Sequence, residues 1–334
     1  MRAMQNRAFT LAARPVGVPK DSDFKLVTAP AREPGDGELL IKLKYISLDP
    51  AMRGWMNDVR SYAPPVGLGE VMRALGLGEV VTSKDPAFAP GDPVVGVFGM
   101  QEYATVAAKH ATKVPPIAPL QKFISALGMQ GLTAYFGLLD VGKPEPGQTV
   151  VISAAAGAVG AVAVQIAKLK GCRVVGIAGG ADKCVYVARD LGADAAIDYK
   201  AGDVAAALKQ HCPDGIHVYF DNVGGEILDA ALARLALHAR VVICGAISQY
   251  NATSAWKGPS NYISLLVNRA TMTGFVVSDY APRFPQAIAE LASWMSAGKL
   301  TSREDIVHGL DAFPDALRKL YTGKNFGKLM LELP

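Results

Sequence analysis

The stretch Thr149-Val-Val-Ile-Ser153-Ala154-Ala-Ala-Gly157-Ala158-Val159-Gly160 carries the fold assignment. Its first five residues form an apolar run suited to a buried strand, and a helix is predicted over 158–170. A strand that delivers glycines into a helix N-terminus is the context a dinucleotide-binding turn requires. Gly157 lets the backbone approach a pyrophosphate, and Gly160 lets the helix pack closely on the strand. Ala158 and Val159 lie in the first turn, where free N–H groups and the helix dipole favour an anion. The pattern is A-x-x-G-x-x-G, with Ala154 one register before the usual G-x-G start. An ordinary glycine-rich turn is the competing interpretation. The order of strand, helix and following strand favours the nucleotide.

Downstream, strands and helices alternate. Strands are predicted at 173–177, 195–199, 216–221 and 240–244, and another over 269–277. Helices are predicted at 182–191, 204–211, 226–237 and 283–297. Apolar strands alternating with helices imply an α/β, doubly wound parallel sheet. Upstream, a helix is predicted over 123–139. Residues 1 to about 120 read instead as short strands and turns, with Pro-Gly-Asp at 34–36 and 90–92 each leading into an apolar run. Leu39–Ile46 is the plainest of these strands, and the segment as a whole suggests a small β barrel. At 334 residues, the chain exceeds what one core usually organises. The expected division is a β domain over 1–121, completed by the strand-like tail within 304–334, and a nucleotide domain over 122–303.

The strand after the glycine turn selects the cofactor. An NAD site needs an acid about 20 residues past the glycines, for the ribose 2′-hydroxyl. That place holds Ala178-Gly179-Gly180, and Lys183 follows as a cation for a 2′-phosphate. Asp182 is adjacent, in a position to cap the next helix. The absent acid favours NADPH over NADH; an uninvolved surface lysine is the alternative account of Lys183.

Composition narrows the function. The net charge of +4 is spread along the chain without a run of like charges, so a nucleic-acid tail is not indicated. No apolar stretch approaches the roughly 20 residues of a membrane span. The first fifteen residues have no apolar segment with a cleavage site. A cytoplasmic protein is expected. Cys172, Cys184, Cys212 and Cys244 are widely spaced, as are the five histidines, and neither a disulfide framework nor a zinc cluster is expected.

Several further segments occur in order along nearly the whole chain. They are Leu48-Asp-Pro-Ala-Met-Arg-Gly-Trp-Met56, Ser61-Tyr-Ala-Pro-Pro65, Gly69-Glu-Val-Met-Arg73, Gly128-Met-Gln-Gly-Leu-Thr-Ala-Tyr135, Phe220-Asp-Asn-Val-Gly-Gly225, Cys244-Gly-Ala-Ile-Ser-Gln-Tyr250, Gly274-Phe-Val-Val277 and Gly323-Lys-Asn-Phe-Gly327. Together with the glycine turn they resemble the zinc-independent medium-chain dehydrogenases/reductases. Within these, the resemblance is to the leukotriene B4 12-hydroxydehydrogenase/prostaglandin reductase group and its bacterial curcumin-reductase-like branch. The resemblance implies a GroES-like β domain plus a Rossmann domain, and a homodimer joined at the Rossmann sheet edges. It also implies cofactor contacts. Gly157 to Gly160 would hold the pyrophosphate, and Gly180, Lys183 and Tyr199 would lie near the 2′-phosphate. Asn222 with Cys244, Gly245, Ala246 and Ile247 would line the ribose. Phe275, Val276 and Val277 would hold the nicotinamide amide, and Asn325 would close the site. From the residues alone, Tyr199 is equally a core aromatic, Asn222 a turn residue and Phe275 core.

The β segment has no cysteine, and its first histidine is His110, so the ligands of a catalytic zinc are lacking there. Without that Lewis acid, reduction of a conjugated double bond is the easier chemistry. Hydride goes to the β-carbon of an α,β-unsaturated ketone or aldehyde, and a hydroxyl stabilises the charge that collects on the carbonyl oxygen. Tyr250 is the first candidate hydroxyl and Tyr62 the second; each is otherwise a packing aromatic. Mammalian and plant members of the group carry a tyrosine near the position of Val267 or Asn268, whereas here Tyr262 stands a turn and a half earlier. Met52 and Trp55 are candidates for an apolar substrate wall, or for plain core. A quinone reductase on the same fold is the nearest alternative function, and a non-enzymatic NADPH-binding protein is a further one.

Overall fold

The computed structural model describes residues 4–334, which divide into two compact units: one up to Ile124 together with Glu304–Pro334, and one of Ser125–Arg303. In the first, β1 (Gln5–Leu11) and β2 (Phe24–Pro30) form an antiparallel pair. The main strands are β3 (Glu38–Ser47), β4 (Leu75–Ser83), β5 (Pro93–Val97), β6 (Tyr103–Ala107) and β7 (Thr112–Lys113), with a short helix α1 (Met52–Trp55) after β3.

The second unit begins with α2 (Met129–Phe136), which passes into a π turn over Gly137–Gly142. There follow β8 (Thr149–Ser153), α3 (Ala158–Leu169), β9 (Arg173–Ala178), α4 (Ala181–Val185), β10 (Ala195–Asp198) and α5 (Val204–His211). Next come β11 (Ile216–Asp221), α6 (Gly225–Leu232), β12 (Leu235–Ile243), α7 (Ser264–Val267), β13 (Thr271–Gly274) and α8 (Phe284–Ser296). The six strands form one sheet in the order β10-β9-β8-β11-β12-β13, and every pair is parallel. All five residues of β8 are buried, as are all but the first of β9. A strand covered on both faces has no polar side to alternate with, which is why these segments are apolar runs. The arrangement is a Rossmann fold, and its strand order reverses between β8 and β11.

The chain then returns to the first unit through β14 (Glu304–His308), α9 (Phe313–Tyr321) and β15 (Lys328–Glu332). There the sheet runs β14-β15-β3-β4-β5-β7, with β6 on the other part of β3, and β15 pairs antiparallel with β3. Leu39, Ile41, Leu43 and Ile46 of β3 pack with Phe313 and Leu317 of α9 and Leu329 and Leu331 of β15 in one core. This is the GroES-like β fold.

Three helices are shorter than their patterns predict: α2 begins only at Met129, α4 passes into a π turn over Tyr186–Asp190, and α6 is the third. The expected helix over 226–237 ends at Leu232, and Leu235–Leu237 already belong to β12. Leu235 pairs with Ile216, whereas Val218 pairs with Arg240, so β12 bulges between these points. His238 takes a positive φ of 59° in the bulge and donates its N–H to the Asn268 carbonyl at 2.7 Å. The apolar residues 228–237 satisfy a helical and a strand period equally, and pairing with β11 decides between them.

Candidate functional site: the strand ends of the parallel sheet

The glycine turn sits between β8 and α3. Gly157 is the N-cap residue, makes no side-chain cap, and no acid lies in the first turn. The first bond into the helix here is from Ala161 N–H to the Gly157 carbonyl, so the N–H groups of Ala158, Val159 and Gly160 have no intrahelical acceptor. A Cβ on Gly160 would lie 2.3 Å from the Ala154 carbonyl oxygen. Only glycine permits this seat of the helix on the turn. Ala154 adopts a positive φ of 49°; it occupies the left-handed position that glycine fills most easily.

Asn222, Val223 and Gly224 follow β11, next to β8 at the reversal. Ser153 and Asp221 join the two strand ends. The Asp221 carboxyl, 1% exposed, accepts bonds from Ser153 Oγ, Tyr219 Oη and the N–H groups of Val223 and Gly224, each at 3.0 Å. Asn222 donates its N–H to Ser153 Oγ and its side-chain Nδ2 to the Ser153 carbonyl, both at 2.8 Å. Gly224 and Gly225 both take positive φ, at 69° and 59°, which brings the turn into α6. Neither Ser153 nor Asp221 stood out from the sequence. The available signal was an acid closing an apolar strand just before Asn-Val-Gly-Gly.

The run after β12 is held by the same hub. Cys244 and Gly245 donate their N–H groups to the Asp221 carbonyl at 2.8 and 3.0 Å. Ile247 N–H reaches the Asn222 carbonyl at 3.3 Å, and Ala246 N–H reaches Tyr250 Oη at 3.1 Å. All four amides of Cys244–Ile247 are therefore engaged within the chain. Burial, with the Asp221 carboxyl adding to it, pushes the Cys244 thiol up to about 12. The Tyr250 hydroxyl rests on its own loop, and a Cβ on Gly245 would lie 3.0 Å from it.

On the other flank, β9 ends at Gly179-Gly180 and β10 at Asp198-Tyr199, and the two strands pair as far as Ala178 and Asp198. The Tyr199 ring lies over Gly179, where a Cβ would meet it at 2.7 Å. Gly180, with φ 100°, caps α4, and its N–H bonds to Asp198 Oδ1 at 2.8 Å. Asp198 also accepts the Lys200 N–H at 2.9 Å, and these two bonds lower its carboxyl pKa. Lys183 is half-buried in α4, and Lys200 Nζ stands 5.9 Å from the Tyr199 ring centre. Gly179, Gly180, Lys183 and Tyr199 thus meet at one pair of strand ends. Beyond β13, Phe275, Val276 and Val277 are half-buried. A Cβ on Gly137 would lie 2.4 Å from the Phe275 ring, so this glycine lets the ring seat on the π turn.

The remaining candidates lie in the first unit. Met52 is 0% exposed and part of the core, which favours the packing reading of this residue. The four-residue helix α1 turns it inward. Trp55 is half-buried, with the Arg73 guanidinium 5.5 Å from its ring centre. Arg73 also donates to the Pro64 carbonyl at 2.7 Å. Tyr62 is 63% exposed, and Asn325 Nδ2 donates to the Gly327 carbonyl at 3.1 Å. Tyr262, in the second unit, is also 63% exposed.

A parallel sheet whose central strands end in a glycine turn and an Asp-Asn-Val-Gly-Gly turn defines a dinucleotide-binding reductase of the Rossmann type. The family described as N-terminal domain of oxidoreductase matches residues 7–114, and that described as zinc-binding dehydrogenase matches 158–293. The chain is 42% identical over 336 residues to the NADPH-dependent curcumin reductase of Escherichia coli, covering 98% of this chain and 97% of that protein. It is 39% identical over 332 residues to the NADP(+)-dependent 2-alkenal reductase of Nicotiana tabacum, covering 97% and 96%. The crystal structure of CurA in complex with NADPH from Vibrio vulnificus superposes with a TM-score of 0.93, at 42% identity over 98% of this chain and 99% of that one. The chain belongs to the medium-chain dehydrogenase/reductase family, in the group of the prostaglandin, 2-alkenal and curcumin reductases. Although one matching description names zinc, no group of three or more His, Cys, Asp or Glu side chains among the described residues is placed to hold a metal.

Proposed function

We propose that this protein is an NADPH-dependent, zinc-independent reductase of the carbon–carbon double bond of α,β-unsaturated ketones and aldehydes. The observation that carries the proposal is the set of strand ends built for a phosphorylated dinucleotide, in a chain 42% and 39% identical to a curcumin reductase and a 2-alkenal reductase. The residues fit the cofactor. The uncapped first turn of α3 offers the Ala158–Gly160 amides to the pyrophosphate, with no acid to repel it. Lys183 and Tyr199, beside Gly179 and Gly180, would take the 2′-phosphate end. Asn222 and the Cys244–Ile247 run would line the ribose; with the amides of that run engaged, its carbonyls would be the groups offered to the sugar. Phe275–Val277 would hold the nicotinamide amide, and Asn325 is proposed to close the site.

NADPH supplies the hydride when bound. The chain's own task is to orient the two reactants and to hydrogen-bond the carbonyl oxygen, where negative charge collects as the β-carbon is reduced. Tyr250, and second to it Tyr62, are the hydroxyls proposed for that bond. Tyr250 already accepts the Ala246 N–H, which polarises its O–H toward an acceptor. Trp55, steadied by Arg73, is the apolar side chain proposed to face the substrate.

The test is a panel of small conjugated ketones, aldehydes and quinones with NADPH, followed by loss of enone absorbance. Turnover of the enones with a saturated carbonyl product is expected. Tight NADPH binding without turnover of any enone would overturn the proposal, and faster reduction of quinones would transfer it to that class.

A homodimer is the proposed assembly. β13 is the outer strand of the parallel sheet, all four of its residues are exposed, and Met272, Leu266 and Val267 are exposed at 40%, 73% and 65%. An open strand edge flanked by apolar side chains is suited to isologous pairing. Light scattering should give twice the chain mass, and Val267→Glu should give one chain mass. No helix among the described residues is long and apolar enough to cross a membrane, in keeping with the cytoplasmic location proposed.

A further inference from the structure

Asp221 is the most buried charge-bearing group at the strand ends, and it touches every segment assigned above to the centre of the nucleotide. Through Ser153 it reaches the start of the glycine turn. Through the Val223 and Gly224 amides it fixes the turn that carries Asn222. Through its own carbonyl it holds Cys244 and Gly245. With Tyr219 Oη, four donors converge on Oδ1, while Oδ2 takes only the Gly224 N–H, at 3.1 Å. All these partners donate. These donors favour the ionised carboxylate, and a proton on the carboxyl would weaken their hold on it.

We propose that Asp221 is a positioning residue for the dinucleotide: its ionised carboxylate holds the ends of β8, β11 and β12 in binding geometry, and protonation loosens them, so that cofactor affinity falls on acidification. The proposal rests on the nucleotide site described above and adds to it a residue that does not touch the nucleotide and a dependence on pH.

The titratable groups that face Asp221 are Tyr219, on its own strand, and Cys244, at the end of β12. Burial keeps the phenol well above its ordinary range and the thiol at about 12, so both stay neutral. Burial also raises the Asp221 carboxyl, against the opposing pull of its amide and hydroxyl donors. It therefore takes up its proton at a higher pH than a surface aspartate. A carboxyl raised in the folded state binds its proton more tightly folded than unfolded. Stability from this group is then fully present at low pH and declines as pH rises through the raised value. Loss of affinity on acidification is thus separable from acid unfolding.

The experiment is calorimetric titration of the full chain with NADP+, which survives acid, from about pH 8 to about pH 5, beside thermal unfolding without ligand. Asp221→Asn places an amide where the second oxygen stands and so mimics the protonated form. At the upper pH the variant should bind about 10-fold more weakly than the wild type, the scale of one charged hydrogen bond. The two curves should converge toward the acid end, with titration of the 2′-phosphate common to both. Curves that coincide or run parallel over the whole range would overturn the proposal. Should the variant not fold, Ser153→Ala keeps the carboxyl and removes one donor to it. The pH at which affinity falls should then move upward, and an unmoved profile would overturn the proposal. No enone takes part in the measurement, so failure of the reductase assay leaves this result standing. Failure of the wild type to bind NADP+ at any pH would remove both.

Discussion

The central and flanking strand ends of the parallel sheet are built on opposite plans. At the centre, β8, β11 and β12 end in a closed network: Ser153, Asp221 and Asn222 are tied together, and the Cys244–Ile247 amides are engaged internally. At the flank, Tyr199 is 43% exposed and Lys183 is half-buried in the first turn after Gly180. The centre has no slack, so a change there acts on the backbone itself. The flank presents side chains to a ligand, and a change there should act on one contact. In the proposed site both ends would face the same dinucleotide. On the proposed function, the centre would decide whether a dinucleotide binds, and the flank would decide which one.

The largest expected effect tests the centre. Gly160→Ala places a methyl group 2.3 Å from the Ala154 carbonyl, and backbone cannot move aside as a side chain can. Overpacking of this kind costs about 1–3 kcal/mol, and the displaced helix start loses its aim at the pyrophosphate. NADPH affinity should fall on the order of 100-fold and NADH affinity by the same factor. Fluorescence titration with both nucleotides reads this. A variant that lost one nucleotide only would break the division between centre and flank.

An intermediate effect tests the flank. Lys183→Ala should weaken NADPH about 10- to 100-fold, the range for a charged hydrogen bond to phosphate, and should leave NADH unchanged. The ratio of kcat/KM for the two cofactors should drop by the same factor, with kcat at saturation preserved. Equal losses for both nucleotides would show that Lys183 supports the fold and does not read the 2′-phosphate.

The same division explains what was legible in the sequence. The β8, α3 and β9 segments are plain because buried parallel strands are apolar runs and the helix start needs its glycines. The NADPH expectation rested on residues close together, the missing acid at Ala178-Gly179-Gly180 and the Lys183 that follows. Asp221 was not legible, because its meaning comes from Ser153, 68 positions away, and from amides that carry no sequence signature. Asp198 escaped for the same reason: it caps Gly180 across 18 positions. Met52 read equally as a substrate wall or as core, and the four-residue helix that carries it places it in the core. The break between α6 and β12 was hidden by an apolar run that suits either period, and only strand pairing settles it.

The smallest expected effect lies at Ala154, within the central region. Its φ of 49° is left-handed, a conformation that costs an alanine about 1–2 kcal/mol. Glycine would remove that strain but would lose about 0.5–1 kcal/mol through the greater freedom of the unfolded chain. The balance favours Ala154→Gly by less than about 1 kcal/mol, a rise of about 1–3 °C in midpoint for a chain of this size. The methyl group is not among the atoms that crowd Gly160, which are the Ala154 carbonyl and the Ala155 Cα. Cofactor affinity should therefore stay within about twofold, given the modest backbone change. If thermal unfolding shows the variant destabilised, the alanine is holding the turn in place, and the rigidity of the centre comes from its side chains as well as its hydrogen bonds.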